Sequence, residues 1–400
     1  MEVTNRQNTT FSAGFVTLAK KNYGERIKKE VVDVFNHQEA PKINTSVLED
    51  VFVNNQNSEG RISKPSDLVD KVNYFVAAAG KGSRFEALAQ QVGDYNKVFL
   101  PFPLDKKNNL HMMDFSLALG KPYVGKDGYQ TIISESPSGT LGDVINLYLD
   151  KPSEIKDTLI IGGDNVFGIK AQEAAGYFSS EINNPNKHIA LLGIAKTPEE
   201  VEGRFGIMAL EDRKSQDGIL GLVDFVEKPP IDIAKKHAIK GYNVANTGFA
   251  YISKEAMTNL LRDIKEETKG KSPLTSQIIR KNDVEVFDTA NALKYIMAKS
   301  EEWFSQKPQD IADVKIINDW EDVGEPKAYF RFLQDLKKGK YLDNFSDGFS
   351  SKIKTATAKK VKLDGVDDTI VFSNQYESLR DVPKTKKTTA KKVDGVKIIV

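Results

Sequence analysis

Residues 74–84 read Y-F-V-A-A-A-G-K-G-S-R. Tyr74 to Ala78 is a short, unbroken apolar run, the pattern of a strand covered on both faces. Gly80 and Gly82 follow, and the backbone there can bend sharply and come close to a ligand. Amide N–H groups freed by such a turn point at an anion, and Arg84 adds a rigid fork of positive charge. The stretch reads as a triphosphate cradle at the carboxyl edge of a parallel sheet. Ala79, Gly80, Gly82 and Ser83 would line it.

Alone, the signal is weak, because a Gly-x-Gly after a strand is more often an ordinary turn. Two better-known loops are excluded. No Gly-Lys-Ser/Thr follows at the spacing of a Walker loop, and Phe85-Glu86 stands where a dinucleotide fingerprint needs its third glycine. The rest of the chain has to decide.

A chain of 400 residues can bury a large core, so one big α/β domain with appendages is the expectation. A net charge of +1 gives no argument for nucleic acid. There are no cysteines, which removes disulfides and thiolate zinc sites and fits a reducing compartment. No apolar run is long enough to span a bilayer, and the start lacks the apolar stretch of a signal peptide. The expectation is a soluble, cytoplasmic protein that needs no membrane.

Residues 1–70 read as an extension, with Ile27, Val31, Val34 and Phe35 on one helical face. Lys97 sits at the lip of the apolar run Val98 to Phe102. Helix is expected over 110–119 and strand over 129–135. The turn Pro137-Ser138-Gly139-Thr140 leads into helical spacing at Leu141, Ile145 and Leu149, which would expose the Gly139 and Thr140 N–H groups. Strand Leu159 to Ile161 ends on Gly162-Gly163-Asp164. That carboxylate could cap a following helix or hold a divalent ion. Strands are expected over 188–195, 204–210, 219–230 and 246–253, and helices near 254–265 and 272–281. Asp322 precedes Val323-Gly324, and Glu325-Pro326 begins a helix. The four histidines, at 37, 111, 188 and 237, show no ligand spacing and read as structural.

The tail differs in character. Thr-Ala-Lys-Lys-Val occurs at 357–361 and again at 389–393, and each copy leads to Asp-Gly-Val. Asp-Gly turns between short β-prone runs predict hairpins. Short exposed strands of that kind could pair edge to edge with a second copy of the chain.

Taken together, residues from about 73 to 330 resemble the sugar-1-phosphate nucleotidylyltransferases, the family of glucose-1-phosphate thymidylyl-, uridylyl- and adenylyltransferases. Ala78 to Arg84 resembles the family's glycine-rich loop, Lys97 its Pro-Lys element, and Pro137 to Thr140 its Gly-Thr segment. Gly163-Asp164-Asn165 resembles its metal-binding Gly-Asp, and Trp320-Glu-Asp322-Val-Gly324 its Trp-x-Asp-x-Gly. Arg204-Phe-Gly206, Glu227-Lys228-Pro229 and Asn246-Thr-Gly248 resemble its sugar-site elements. The resemblance implies a Rossmann-like, mixed and mainly parallel sheet flanked by helices. It implies a catalytic domain over 71–340, an N-terminal helical extension over 1–70 and a Lys-rich tail over 341–400.

The resemblance also implies roles. Asp164 and Asp322 would hold Mg²⁺, Arg84 would take charge on leaving pyrophosphate, and Lys97 would bind the α-phosphate. Lys228 would bind the sugar phosphate, Glu227 would accept from the sugar hydroxyls, the Gly206 backbone would lie against the ring, and Asn246 would belong to the same sugar-phosphate site. The partners would be an NTP and a sugar 1-phosphate. Some positions depart from the family. No proline follows Arg84, Gly142 stands where the thymidylyl branch has Gln, and one strand–helix unit looks absent between Phe115 and Pro137. Two alternatives stay open: a cytidylyltransferase acting on a non-sugar phosphate, or an inactive regulatory subunit of the same fold.

Overall fold

The computed structural model describes residues 16–18, 68, 71–78, 85, 98, 112–123, 130–132, 139–211, 219–267, 278–281, 284–345, 347–362, 369–371, 383–385, 391–393 and 396–399. The strands of the first half are β1 (Val16–Leu18), β2 (Val72–Ala77), β3 (Gln130–Ile132), β4 (Asp157–Gly162), β5 (Asn165–Phe167), β6 (Ile189–Lys196) and β7 (Ile207–Leu210). They continue with β8 (Ile219–Val226), β9 (Asn243–Ile252), β10 (Ile279–Lys281), β11 (Val284–Val286), β12 (Ala312–Ile317) and β13 (Trp320–Asp322). The longer helices are α1 (Met112–Gly120), α2 (Gly142–Asp150), α3 (Ala171–Ile182), α4 (Ile231–His237), α5 (Lys254–Glu267), α6 (Thr289–Ala298), α7 (Pro326–Lys338) and α8 (Asp347–Lys360).

Among the described residues, nine strands form the main sheet, in the order β1-β3-β2-β4-β9-β6-β12-β8-β7. β1, β3, β2 and β4 run parallel, as do β6 and β12. β9 is inserted antiparallel between β4 and β6. β8 runs against β12, and β7 runs against both β8 and β9.

Strand periodicity sorts the core into two layers. Tyr74, Val76, Leu159, Ile161, Ala190 and Leu192 face one side, with α1, α3, α7 and α8. Phe75, Ile160, Ile189 and Leu191 face the other, with α2, α5 and α6. Successive side chains of a strand point to opposite faces, so a strand covered on both sides must be apolar throughout. That is why the run at 74–78 could be recognised.

The helix at Pro326 forms as expected. Proline supplies the preset φ of its first turn, and Gly339, with φ +91°, ends it. Tyr329, Phe330, Phe332, Leu333 and Leu336 repeat at helical spacing and are buried. The helix expected near 272–281 is corrected at its described end. Ile279–Lys281 is a strand paired antiparallel with Val284–Val286, with Lys281 opposite Val284. The link is Asn282-Asp283, and β-branched residues on both arms favour a hairpin over a helix.

Between Phe115 and Pro137 the described residues supply the rest of α1, a 3-10 turn at Lys121–Tyr123 and the single strand β3. The sheet position outside β3 is taken by β1, from the N-terminal segment. The helical face expected at Ile27 to Phe35 lies outside the described residues.

The tail contributes to the core at its start. Tyr341, Leu342, Phe345 and Ile353 are buried in the layer that holds α7. The Asn344 side chain accepts from the Ala171 N–H at 2.6 Å and donates to Ile169 O at 3.0 Å, satisfying the start of α3. Family-like motifs end near 330, but the packed domain extends to Ile353. A chain stopped at 344 would lose Phe345 and Ile353, each of which fills core volume.

Beyond this lies a small sheet of β14 (Val361–Lys362), β15 (Thr369–Val371), β16 (Lys391–Val393) and β17 (Val396–Ile399). Val393 faces Val396 across the expected two-residue Asp-Gly link. The pair β14–β15, which starts at the end of the first repeat copy, joins the pair β16–β17 of the second through β15 and β17, which run parallel. Among the described residues, no helix is long and apolar enough to cross a membrane.

Candidate active site

The candidate site lies at the carboxyl ends of β2 and β4. β4 ends at Gly162, and Gly163 donates its N–H to Ala77 O at 2.9 Å, tying this turn to the end of β2. Asp164 follows in the turn. The next segment is β5, not a helix, so Asp164 does not cap one; α3 starts only at Ala171.

β5 pairs antiparallel with β13, and Asp322 stands opposite Asn165. Val323 donates its N–H to Asp164 O at 2.9 Å. Thus the carboxylates of Gly163-Asp164-Asn165 and Trp320-Glu-Asp322 are carried on neighbouring strand ends. Gly324 stands close beside Asp322. A Cβ on Gly324 would stand 2.9 Å from Asp322 Oδ2 and 3.0 Å from Oδ1.

Aromatic and polar contacts link this pair to the sugar-like elements. Trp320 Nε1 donates to Asn165 Oδ1 at 3.0 Å. Phe205 packs edge-on against the Trp320 ring, with centroids 5.1 Å apart. Arg204 lies over the Phe205 ring and reaches Glu325 at 3.4 Å. Asn246 donates its N–H to Gly206 O at 2.8 Å, and its side chain accepts from Gly248 N–H at 3.1 Å. A Cβ on Gly206 would collide with the Phe225 ring and lie 2.7 Å from Glu227 Oε2. Gly206, Glu227, Asn246, Asp164 and Asp322 therefore belong to one neighbourhood.

Glu227, about half exposed, is raised from the ordinary glutamate value. Burial is the main cause; Lys228 pulls the other way and Asp288 adds to the rise. Lys228 Nζ lies 3.6 Å from Glu227 Oε1. Its own backbone has φ +43°, a left-handed geometry that disfavours a side chain of this kind and that tends to mark functional turns.

Gly139 and Thr140 stand at the entry to α2, as the sequence implied. Gly139 has φ +92°, and a Cβ there would meet the Phe287 carbonyl. Thr140 N–H donates to Asp288 Oδ1 at 3.3 Å, and the Thr140 and Thr289 hydroxyls meet at 2.9 Å. Asp288 thus joins the Gly-Thr turn to the side of the site that holds Glu227. Sequence reasoning missed it. The available signal was an N-cap pattern, Phe-Asp-Thr before the apolar periodicity of α6. Ser116 was also missed; its hydroxyl donates to Gly162 O at 2.9 Å, and nothing local in α1 marks it.

Ala79, Gly80, Gly82, Ser83, Arg84 and Lys97 lie outside the described residues. Their neighbours do not. Ala78, Phe85 and Val98 are buried, and a Cβ on Gly163 would stand 3.2 Å from Val98 Cγ1.

The family model described as nucleotidyl transferase matches residues 128–339, more than half of the chain. This chain belongs to the nucleotidyl transferase family. The match holds Gly139-Thr140, Asp164, Glu227-Lys228, Asn246 and Asp322, and begins after the glycine-rich loop. The fold is that of the nucleotide-diphospho-sugar transferases, a mixed sheet flanked by helices.

No curated protein matches the chain. Among solved structures, it is similar to a mannose-1-phosphate geranyltransferase from Thermus thermophilus, at 19% identity over 65% of this chain and 78% of that one, with TM-score 0.44. It is similar to a UDP-glucose pyrophosphorylase complexed with UDP-glucose, at 13% identity over 65% and 95%, with TM-score 0.43. It is also similar to a putative glucose-1-phosphate thymidylyltransferase from Bacillus anthracis, at 15% identity over 65% and 93%, with TM-score 0.41.

Among the described residues, no group of three or more His, Cys, Asp or Glu side chains is placed to hold a metal ion. What the described site offers is a pair of carboxylates on neighbouring strands. These are hard oxygen donors, suited to Mg²⁺ completed by substrate phosphates and water.

Proposed function

We propose that this nucleotidyltransferase transfers a nucleoside monophosphate from an NTP to a sugar 1-phosphate, with glucose 1-phosphate the first sugar to test. An oxygen of the sugar phosphate attacks the α-phosphorus in line. The new P–O bond forms as the bond to the β-phosphate breaks, and pyrophosphate leaves. The attacking phosphate is already ionised, so no general base is needed. Catalysis of this kind is positioning and charge stabilisation.

The observation that carries the reading is the juxtaposition of Asp164 and Asp322 across β5 and β13, beside Gly206, Glu227 and Asn246. Asp164 and Asp322 would hold Mg²⁺, which, when bound, neutralises phosphate charge. Glu227 would accept from sugar hydroxyls, Lys228 would bind the sugar phosphate, and the Gly206 backbone would lie against the ring. Gly139 and Thr140, fixed by Asp288 and Thr289, would border the base. Arg84 would take the charge of the departing pyrophosphate and Lys97 the α-phosphate; Val98, next in the chain, packs on Gly163.

The test is pyrophosphate release on mixing a panel of NTPs with glucose 1-phosphate and Mg²⁺. Release with one nucleotide, dependent on the sugar phosphate, is the expected result. Release with a non-sugar phosphate and CTP would transfer the reading to a cytidylyltransferase. No release with any pair would favour the regulatory subunit. Arg84→Ala should lower turnover more than sugar affinity, and Lys228→Ala should mainly raise the sugar-phosphate KM; the opposite pattern would exchange their sites.

A further inference from the structure

Asn165 sits between the two candidate carboxylates and does more than follow Asp164. Its side chain is buried, and its carbonyl oxygen accepts from Trp320 Nε1 at 3.0 Å. An indole N–H can only donate, so the carboxamide has one allowed orientation here. Its NH₂ must then face the other way. There it meets Asp164 Oδ1 at 3.5 Å, a long contact but one aimed at an acceptor-only group.

The surroundings leave room for this side chain. A Cβ on Gly162 would collide with Asn165 Nδ2, and one on Gly248, where φ is +76°, would lie 3.6 Å from it. The Ser116 hydroxyl reaches Gly162 O at 2.9 Å and Asn165 O at 3.2 Å, holding the backbone at both ends of the turn. On the other strand, Trp320 and Asp322 are two residues apart and so share a face of β13. Asn165 stands opposite Asp322 in the ladder.

We propose that Asn165, locked by the Trp320 indole, is a positioning residue that sets the orientation of the Asp164 carboxylate relative to Asp322, and so the affinity of the pair for a divalent cation. The inference rests on the proposed reading of Asp164 and Asp322 as the metal-holding pair. Such outer partners of a ligating carboxylate commonly change metal affinity by about 10–100-fold when removed.

The test uses the full chain with Mn²⁺ as the probe, its binding followed by the loss of the free-ion paramagnetic resonance signal. Asn165→Ala, Trp320→Phe and the double variant are compared with wild type. Each single variant should weaken Mn²⁺ binding about tenfold or more. The double variant should lose no more than either single one, because both break the same link.

The two tryptophans give an independent reading. Trp320 donates from its indole, whereas the Trp303 indole N–H has no partner among the described residues. Deleting Trp320 assigns its N–H resonance, and Asn165→Ala should shift that resonance alone. Unchanged Mn²⁺ affinity in a folded Asn165→Ala variant would overturn the proposal, as would additive losses in the double variant. If Asn165→Ala does not fold, Trp320→Phe, which removes only the donor and part of the ring, carries the affinity outcome: unchanged Mn²⁺ affinity in that folded variant would overturn the proposal. Failure of the underlying reading looks different: Asp164→Asn would then bind Mn²⁺ as wild type does.

Discussion

The two edges of the main sheet both carry ionisable groups, and they use them in opposite ways. At the carboxyl edge, Asp164 and Asp322 are brought together on strand ends beside glycines. At the amino edge, the groups are enclosed by packing and by one another. Asp157 accepts from the Lys254 N–H at 2.7 Å and from the Tyr251 hydroxyl at 3.3 Å. Asp313 pairs with Lys187 at 2.9 Å, close to Glu181. His188 Nδ1 meets Ser253 Oγ at 2.9 Å, and its ring stacks on Phe304.

Among the carboxylates and histidines, the largest perturbations lie at the amino edge. Burial, helped by Asp313, pushes the Glu181 carboxyl up to about 7, with Lys187 pulling it down. Burial lowers the His188 imidazole to about 4. Shifted ionisation is often used to find active sites, but here it marks packing. The difference is geometric. Parallel strands present their loops to ligands at their carboxyl ends, whereas the amino ends are sealed by the helices that feed them.

The sharpest way to break the comparison is to remove charge at the carboxyl edge. If the pair holds Mg²⁺ as proposed, Asp164→Asn and Asp322→Asn should each lower turnover by roughly a hundredfold or more, because an amide cannot supply the charge that would hold the ion. Thermal stability should stay unchanged. Near wild-type rates at saturating Mg²⁺ in either variant would sink the pairing.

At the amino edge the expected effects reverse. Lys187→Met leaves Glu181 and Asp313 without their cation and should cost about 2 kcal/mol of stability, read from denaturant unfolding. Turnover of the folded protein should not change. A loss of activity without a loss of stability would mean that the two edges communicate.

A smaller effect tests the glycine beside Asp322. Gly324→Ala adds a methyl group within contact of both Asp322 oxygens, so the carboxylate must turn aside. Turnover should fall by about tenfold, a displacement effect rather than a loss of charge. An unchanged rate would show that the carboxylate has slack.

The last effects concern pH and stability, where two opposing groups partly cancel in the wild type. Glu181 binds its proton more tightly in the folded state, so its contribution is fully present below its unfolded value near 4.5 and lost as pH rises to about 7. His188 acts with the opposite sign. Its folded state resists protonation, so stability is lost as pH falls from 6.5 to about 4. The two slopes oppose each other across the shared window. Glu181→Gln should leave melting temperatures that rise with pH there, and His188→Gln melting temperatures that fall. Parallel curves in the two variants would refute the assignment.

Much of the carboxyl edge was legible locally. The runs at 74–78 and 159–161 are short, apolar and followed by glycine, which a doubly covered strand with a ligand turn requires. The Glu325-Pro326 start was legible for the same reason, since proline fits only a first turn. Asp288, Ser116 and the Asn165–Trp320 bond were not. Each acts through a partner far along the chain, and no local spacing encodes which strand ends will meet.

The tail shows the limit most plainly. Thr-Ala-Lys-Lys-Val stands at 357–361 and at 389–393. In the first copy Thr357 to Lys360 complete α8, where Thr357 is buried and its hydroxyl donates to Ile353 O at 2.8 Å. In the second copy Lys391–Val393 form a strand of a hairpin. By itself, the sequence determined the strand-and-glycine junction after Ile161, the residue types the chemistry needs and the Asp394-Gly395 link, because these rest on local sterics. Only the tertiary structure decided which carboxylates face each other, where the domain stops and which copy of one pentapeptide is helical. Those outcomes depend on burial against distant residues, and here the anchoring of Ile353 and Phe345 in the core outweighs the weak preferences of five residues.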